Sequence, residues 1–219
     1  MSTAIIPGIF SALLALGLMG TVPEPAPGVA GAATVQLQVF AHAAVDGPTL
    51  QLAKTTASKL LESARIGAEW RDCGTVASTC HESSEPVVVI VLLLPVAKTT
   101  EEDVSGEVVQ DQSTRVPSVL VYLPTLADRV RTIGQSAAGR SNPALATLQL
   151  GHLVGLAIAH EVGHVFGLPH TSSGVMKARL ATDDLIALHA ARLTFTPRDT
   201  ATMRLSLVSR THRGAPDTR

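Results

Sequence analysis

A chain of 219 residues, 46% hydrophobic and only 16% charged, has the length of one domain and too much apolar material to stay disordered. Its formal net charge is −1, from 17 basic and 18 acidic side chains, so no basic field exists to hold nucleic acid or an anionic membrane. Aromatic residues make up 3%, which leaves the core to Val, Leu, Ile and Ala.

In chain order, residues 5–19 form an almost unbroken apolar run without charge. Pro23, Pro25 and Pro27 follow, then the small residues Ala30, Gly31, Ala32 and Ala33. This reads as a secretory signal over residues 1–32, cleaved after Ala32, although no Lys or Arg precedes the run. An uncleaved membrane anchor is the alternative; the short run and its interruption by Pro7 and Gly8 weigh against it. The expected mature protein is secreted or periplasmic, with one domain over residues 33–210 and a flexible tail over 211–219.

Residues 34–40 alternate polar and apolar side chains, which predicts a strand. Leu50, Ala53, Ala57, Leu60, Leu61 and Ala64 repeat at helical spacing, with Gly67 as the stop. A short strand around 68–71 leads to Cys73 and Cys80, seven apart in a loop; an oxidising compartment would close them into a disulfide. Residues 87–94 are a continuous aliphatic run, typical of a strand covered on both faces. Residues 98–115 are acidic and polar and predict an exposed loop, and 118–123 predict a further strand at the sheet's edge. Strand, helix, strand, strand in this order gives an α+β (α/β-like) class, a small mixed sheet backed by helices.

Residues 145–158 are apolar on nearly every face, which predicts a buried helix. Gly151, Gly155 and Gly163 weaken it by about 1 kcal/mol each, and close packing against the sheet is the expected compensation. Asp183 and Asp184 follow Thr182 as the capped first turn of another helix; capping suffices to explain them, and orienting a zinc ligand is the alternative role for either. Met203, Leu205 and Leu207 are expected to pack a terminal helix.

The informative segment is His160-Glu161-Val162-Gly163-His164-Val165-Phe166-Gly167-Leu168-Pro169-His170. His160 and His164, four apart, lie one turn from each other on one helix face, where neutral imidazoles can hold zinc. Glu161 sits beside the metal rather than on it and can take a proton from a water activated there. Gly167 supplies the positive φ that ends the helix, Pro169 keeps it from resuming, and His170 returns as a third ligand. Three protein nitrogens leave a fourth position open, the catalytic rather than the structural pattern. Glu161 is the one charged residue between Arg140 and Lys177, and a lone buried carboxylate is costly without a partner such as a metal site. At average residue frequencies the full pattern arises by chance in a chain of this length about once in 10⁵.

This segment resembles the zinc signature of the metzincin metallopeptidases. Gly174-Val175-Met176, just past the third His, resembles their Met-turn, though the link is short. The resemblance implies one catalytic zinc ion on His160, His164 and His170, Glu161 as general base, and Met176 as an apolar floor. It implies a twisted mixed sheet, an active-site helix and a small C-terminal helical subdomain. It is sharp over residues 160–176 and only architectural over 34–159. Thr171 after the third His assigns no familiar branch, and no Tyr follows Met176. The expected function is a secreted, monomeric zinc endopeptidase acting on peptide or protein substrates. The rival reading is a non-catalytic zinc-binding module that retains the site, suggested by the missing tyrosine and by the absence of room for a pro-segment before residue 34. His152, eight residues before His160, is expected to be a core residue or a support for a ligand. His42, His81, His189 and His212 have no partner motif.

Overall fold

The computed structural model describes residues 33–41, 45–74, 80, 87–96, 105–110, 116–138, 143–179 and 182–214; of these, residues 133–138, 143–148, 182 and 212–214 are described by their backbone alone. The signal segment, His42, His81, most of the Cys73–Cys80 loop and the end of the tail lie outside the described residues.

β1 (Ala33–Ala41) opens the sheet, as its alternation predicts. Asp46 caps α1 (Gly47–Ser63) by accepting from the Thr49 amide at 2.7 Å, which holds its carboxyl below the usual range. Gly67 does not end this helix. Arg65 does, at a φ of 58°, and Gly67 lies inside β2 (Ile66–Gly74). β3 (Val88–Leu94) follows, then β4 (Gly106–Gln110) and β5 (Pro117–Tyr122).

Strand order is β2-β1-β3-β5-β4. β2, β1, β3 and β5 run parallel, and β4 pairs antiparallel with β5, Glu107 opposite Leu120. The architecture is therefore a mixed, twisted five-stranded sheet with five helices, as the order of elements predicts. Two expectations are corrected. The acidic, polar segment 98–115 contains β4, and β4 rather than residues 118–123 forms the edge. β5 is an interior strand.

Val35, Leu37 and Val39 of β1, Val89, Val91 and Leu93 of β3, and Val119 and Val121 of β5 are buried in one core with α1 and α3. The alternate residues of β3 are only half-buried, so its second face is covered less than the unbroken aliphatic run suggested. On that face Phe40 packs with the Cys73–Cys80 disulfide, Ile90 and Leu92.

Helix α2 (Leu123–Ala138) was not anticipated; it leads to α3 (Pro143–Val165), the buried helix. α3 lies against α1, α2, β4 and β5. A side chain at Gly155 would strike the backbone of Ala53 and the side chain of Thr56, and one at Gly151 would strike Leu52, so these two glycines let α3 approach α1, not the sheet. Among the described residues no helix is long and apolar enough to cross a membrane.

α4 (Thr182–His189) carries Asp183 and Asp184 in its first turn, as expected. It ends at Ala191, φ 52°, where the Arg192 amide donates to the Ala187 carbonyl at 2.7 Å. α5 (Pro197–Gly214) starts with a reciprocal Thr196–Asp199 cap and continues past Arg210, which donates to the Val165 carbonyl at the end of α3. Met203 and Leu207 are buried, whereas Leu205 is 73% exposed and packs nothing of the core.

Candidate metal centre

His160 and His164 stand one turn apart near the end of α3. Gly167, at a φ of 86°, turns the chain: its amide donates to the His164 carbonyl at 2.9 Å, and the Leu168 amide to the Gly163 carbonyl at 3.0 Å. This reversal brings His170 back to the other two rings. The His164 Nε2 atom lies 3.1 Å from Nε2 of His160 and 3.1 Å from Nε2 of His170. The predicted three imidazoles thus converge, and they form a group able to hold a metal ion.

The hydrogen bonds behind the rings decide what faces the centre. His160 Nδ1 donates to the Val175 carbonyl at 2.8 Å, and His164 Nδ1 to the Leu168 carbonyl at 2.7 Å. A carbonyl only accepts, so both protons sit on Nδ1 and both Nε2 atoms present lone pairs. Two lone pairs 3.1 Å apart have no proton to share and repel unless a cation lies between them. Tetrahedral zinc at 2.0–2.1 Å from each nitrogen would set its ligands about 3.3 Å apart. The donor set and its spacing fit that ion.

Burial favours the same state. It pushes His160 down to about 4, against the hydrogen bond to Val175, and it lowers His164 as well. Both are neutral, ligand-ready imidazoles at neutral pH.

The chain after His170 closes beneath the site. Thr171 donates its amide to the Met176 carbonyl at 2.8 Å, and Val175 donates to the Thr194 carbonyl at 3.2 Å. Val175 therefore orients His160 while the next residue, Met176, is fully buried. A side chain at Gly163 would collide with the Met176 sulfur, so glycine is what admits the methionine under the ligand helix. Lys177 ties this segment to α4 by donating to both Asp184 oxygens, at 3.0 and 2.8 Å. Asp184 thus pairs with Lys177, and the orienting partners of His160 and His164 are carbonyls rather than carboxylates.

Glu161 is 4% exposed. A Cβ at Gly106 would lie 2.8 Å from its Cγ and 2.9 Å from its Oε1, so the start of β4 rests directly on this carboxylate. Beside it, Tyr122 donates its hydroxyl to Glu107. Burial, that bond and the charges of Glu107 and Glu161 push the Tyr122 hydroxyl up to about 12, so it remains a donor. Sequence reasoning missed Gly106 and Glu107 because β4 itself was missed, and it gave Tyr122 no role.

His152 is not part of this group. Its Nδ1 lies 3.0 Å from the Thr56 hydroxyl, and its ring meets His189 edge-on, with centroids 4.4 Å apart. His189, which lacked a partner in sequence, therefore has one in space.

Comparison with solved structures finds the archaemetzincin of Methanopyrus kandleri, 14% identical, covering 82% of this chain and 99% of that chain with a TM-score of 0.46. No family profile matches the chain, and no curated protein matches it.

Proposed function

We propose that this protein is a secreted zinc-dependent endopeptidase of the metzincin type. The observation that carries the reading is the convergence of three Nε2 atoms, two of them fixed as lone-pair donors, beside a buried glutamate. His160, His164 and His170 would hold the ion. Bound there, zinc supplies a Lewis acid for the scissile carbonyl and brings the pKa of a water near 7.

Glu161 takes the proton of the attacking water and passes it to the leaving amine. Its carboxylate lies against the start of the edge strand at Gly106, where any side chain would collide with it. An extended substrate adds to the outer edge of β4, whose other edge is paired with β5. Tyr122 holds Glu107 and with it the start of that edge. The Cys73–Cys80 disulfide fits an oxidising compartment and supports export.

The test is hydrolysis of casein and of a peptide library by purified protein, with and without chelator. The reading expects cleavage that chelator abolishes and that Glu161→Gln lowers by at least about 100-fold. Chelator-insensitive cleavage, or a fully active Glu161→Gln variant, contradicts it. One zinc per chain with no turnover selects the non-catalytic zinc-binding module instead.

A further inference from the structure

On the α1 side of α3, about 12 Å along the helix axis from His160, a separate cavity of about 420 Å³ opens between α1, α3 and α4. Its volume lies within the usual range for small-molecule sites. Leu60 and Leu188 contribute apolar wall, and Lys59, His152 and His189 contribute nitrogen. Among the described residues no carboxylate lines it.

Three basic side chains around one concavity disfavour one another's protonation. Burial disfavours protonation of His152, and the neighbouring His189 and Lys59 act in the same direction. Thr56 occupies Nδ1 of His152, which leaves Nε2 for a ligand. Among the described residues the side of the cavity that carries nitrogen therefore has no negative partner, while the leucine side favours a carbon skeleton.

We propose that this cavity binds a small organic anion, a carboxylate or phosphate head on an apolar body, with Lys59, His152 and His189 holding the head. The Lys59 ammonium supplies the charge and the two imidazoles supply directional hydrogen bonds. A divalent cation is the poorer occupant, because only two imidazoles face it and an ammonium stands beside them.

The experiment uses the zinc-loaded full chain and follows the imidazole nitrogens by long-range proton–nitrogen NMR. Hexanoate, hexyl phosphate, inorganic phosphate and hexanol are titrated separately. Hexanoate or hexyl phosphate should shift the His152 and His189 signals saturably, and hexanol should not. Inorganic phosphate should bind at least about tenfold more weakly than hexyl phosphate, because it lacks the apolar body. Lys59→Met keeps the side chain's carbon stem, and His189→Gln changes an exposed side chain; each should weaken hexanoate about tenfold or more. Glu161→Gln should leave this binding unchanged, so the result is independent of peptidase activity. Equal binding of hexanol and hexanoate, unchanged affinity in Lys59→Met, or shifts that appear only with a second equivalent of zinc would overturn the proposal.

Discussion

Helix α3 contributes to two groups of histidines, joined by His170 at one and by His189 of α4 at the other, and they differ in what holds each ring. In the first, carbonyls of Val175 and Leu168 take the Nδ1 protons and three Nε2 atoms meet. In the second, a hydroxyl faces His152 Nδ1, the rings of His152 and His189 meet edge to face, and Lys59 lies close by. Histidines of the same helix thus meet a group able to hold a metal ion at one end, and a lysine and a hydroxyl at the other. Neighbouring charge and the partner of Nδ1 make the difference, not the histidines themselves.

The sharpest way to break this contrast is to remove one ring from each group. His164→Ala should lower zinc affinity by more than the 10–100-fold typical of losing an outer partner, whereas His152→Ala should keep full zinc content. Equilibrium dialysis with elemental analysis measures both, and equal losses would erase the distinction.

Gly163→Ala probes the floor under the metal end. Alanine ordinarily stabilises a helix by about 1 kcal/mol relative to glycine, but here it meets Met176, and a net loss of about 1–3 kcal/mol is expected. Urea unfolding of the variant gives the sign directly.

Acid tests the burial of the first group in metal-free protein. His160 titrates at about 4 when folded and at 6.5 when not, so between these values the unfolded chain binds the extra proton. The contribution is complete above pH 6.5 and is lost as pH falls through that window, on the order of 2 kcal/mol by pH 5. The half-buried His152 pulls in the same direction. Thermal unfolding from pH 7.5 down to 5 follows the loss, and a metal-free protein equally stable across that range would show that His160 is not held neutral.

The smallest effect is at the second group's rim. Ala191 holds a φ of 52° at the end of α4, and Ala191→Gly should stabilise the fold by about 0.5–1 kcal/mol, read as a higher Tm.

The metal end was legible because its geometry is local. Four-residue spacing fixes two rings, and one glycine with positive φ returns the third. The core strands β1, β3 and β5 were legible from their apolar patterns. β4 was not, because Gly-Glu-Val-Val-Gln has no alternation and becomes a strand only by pairing with β5. The stop of α1 was misplaced because Arg65, not a glycine, takes the left-handed conformation. Leu123, Leu126 and Val130 do repeat at helical spacing in α2, but over too few residues to separate it from the preceding strand. Contacts such as Lys177–Asp184 and His152–His189 join elements that no local pattern brings together.

X-ray absorption at the zinc edge, on protein loaded with one equivalent of zinc, tests the metal centre most directly. Three imidazole nitrogens and one oxygen at about 2.0–2.1 Å are predicted, with one imidazole lost in His170→Ala. Sulfur at about 2.3 Å, fewer than three imidazoles, or a spectrum unchanged by that substitution would contradict a centre built from His160, His164 and His170.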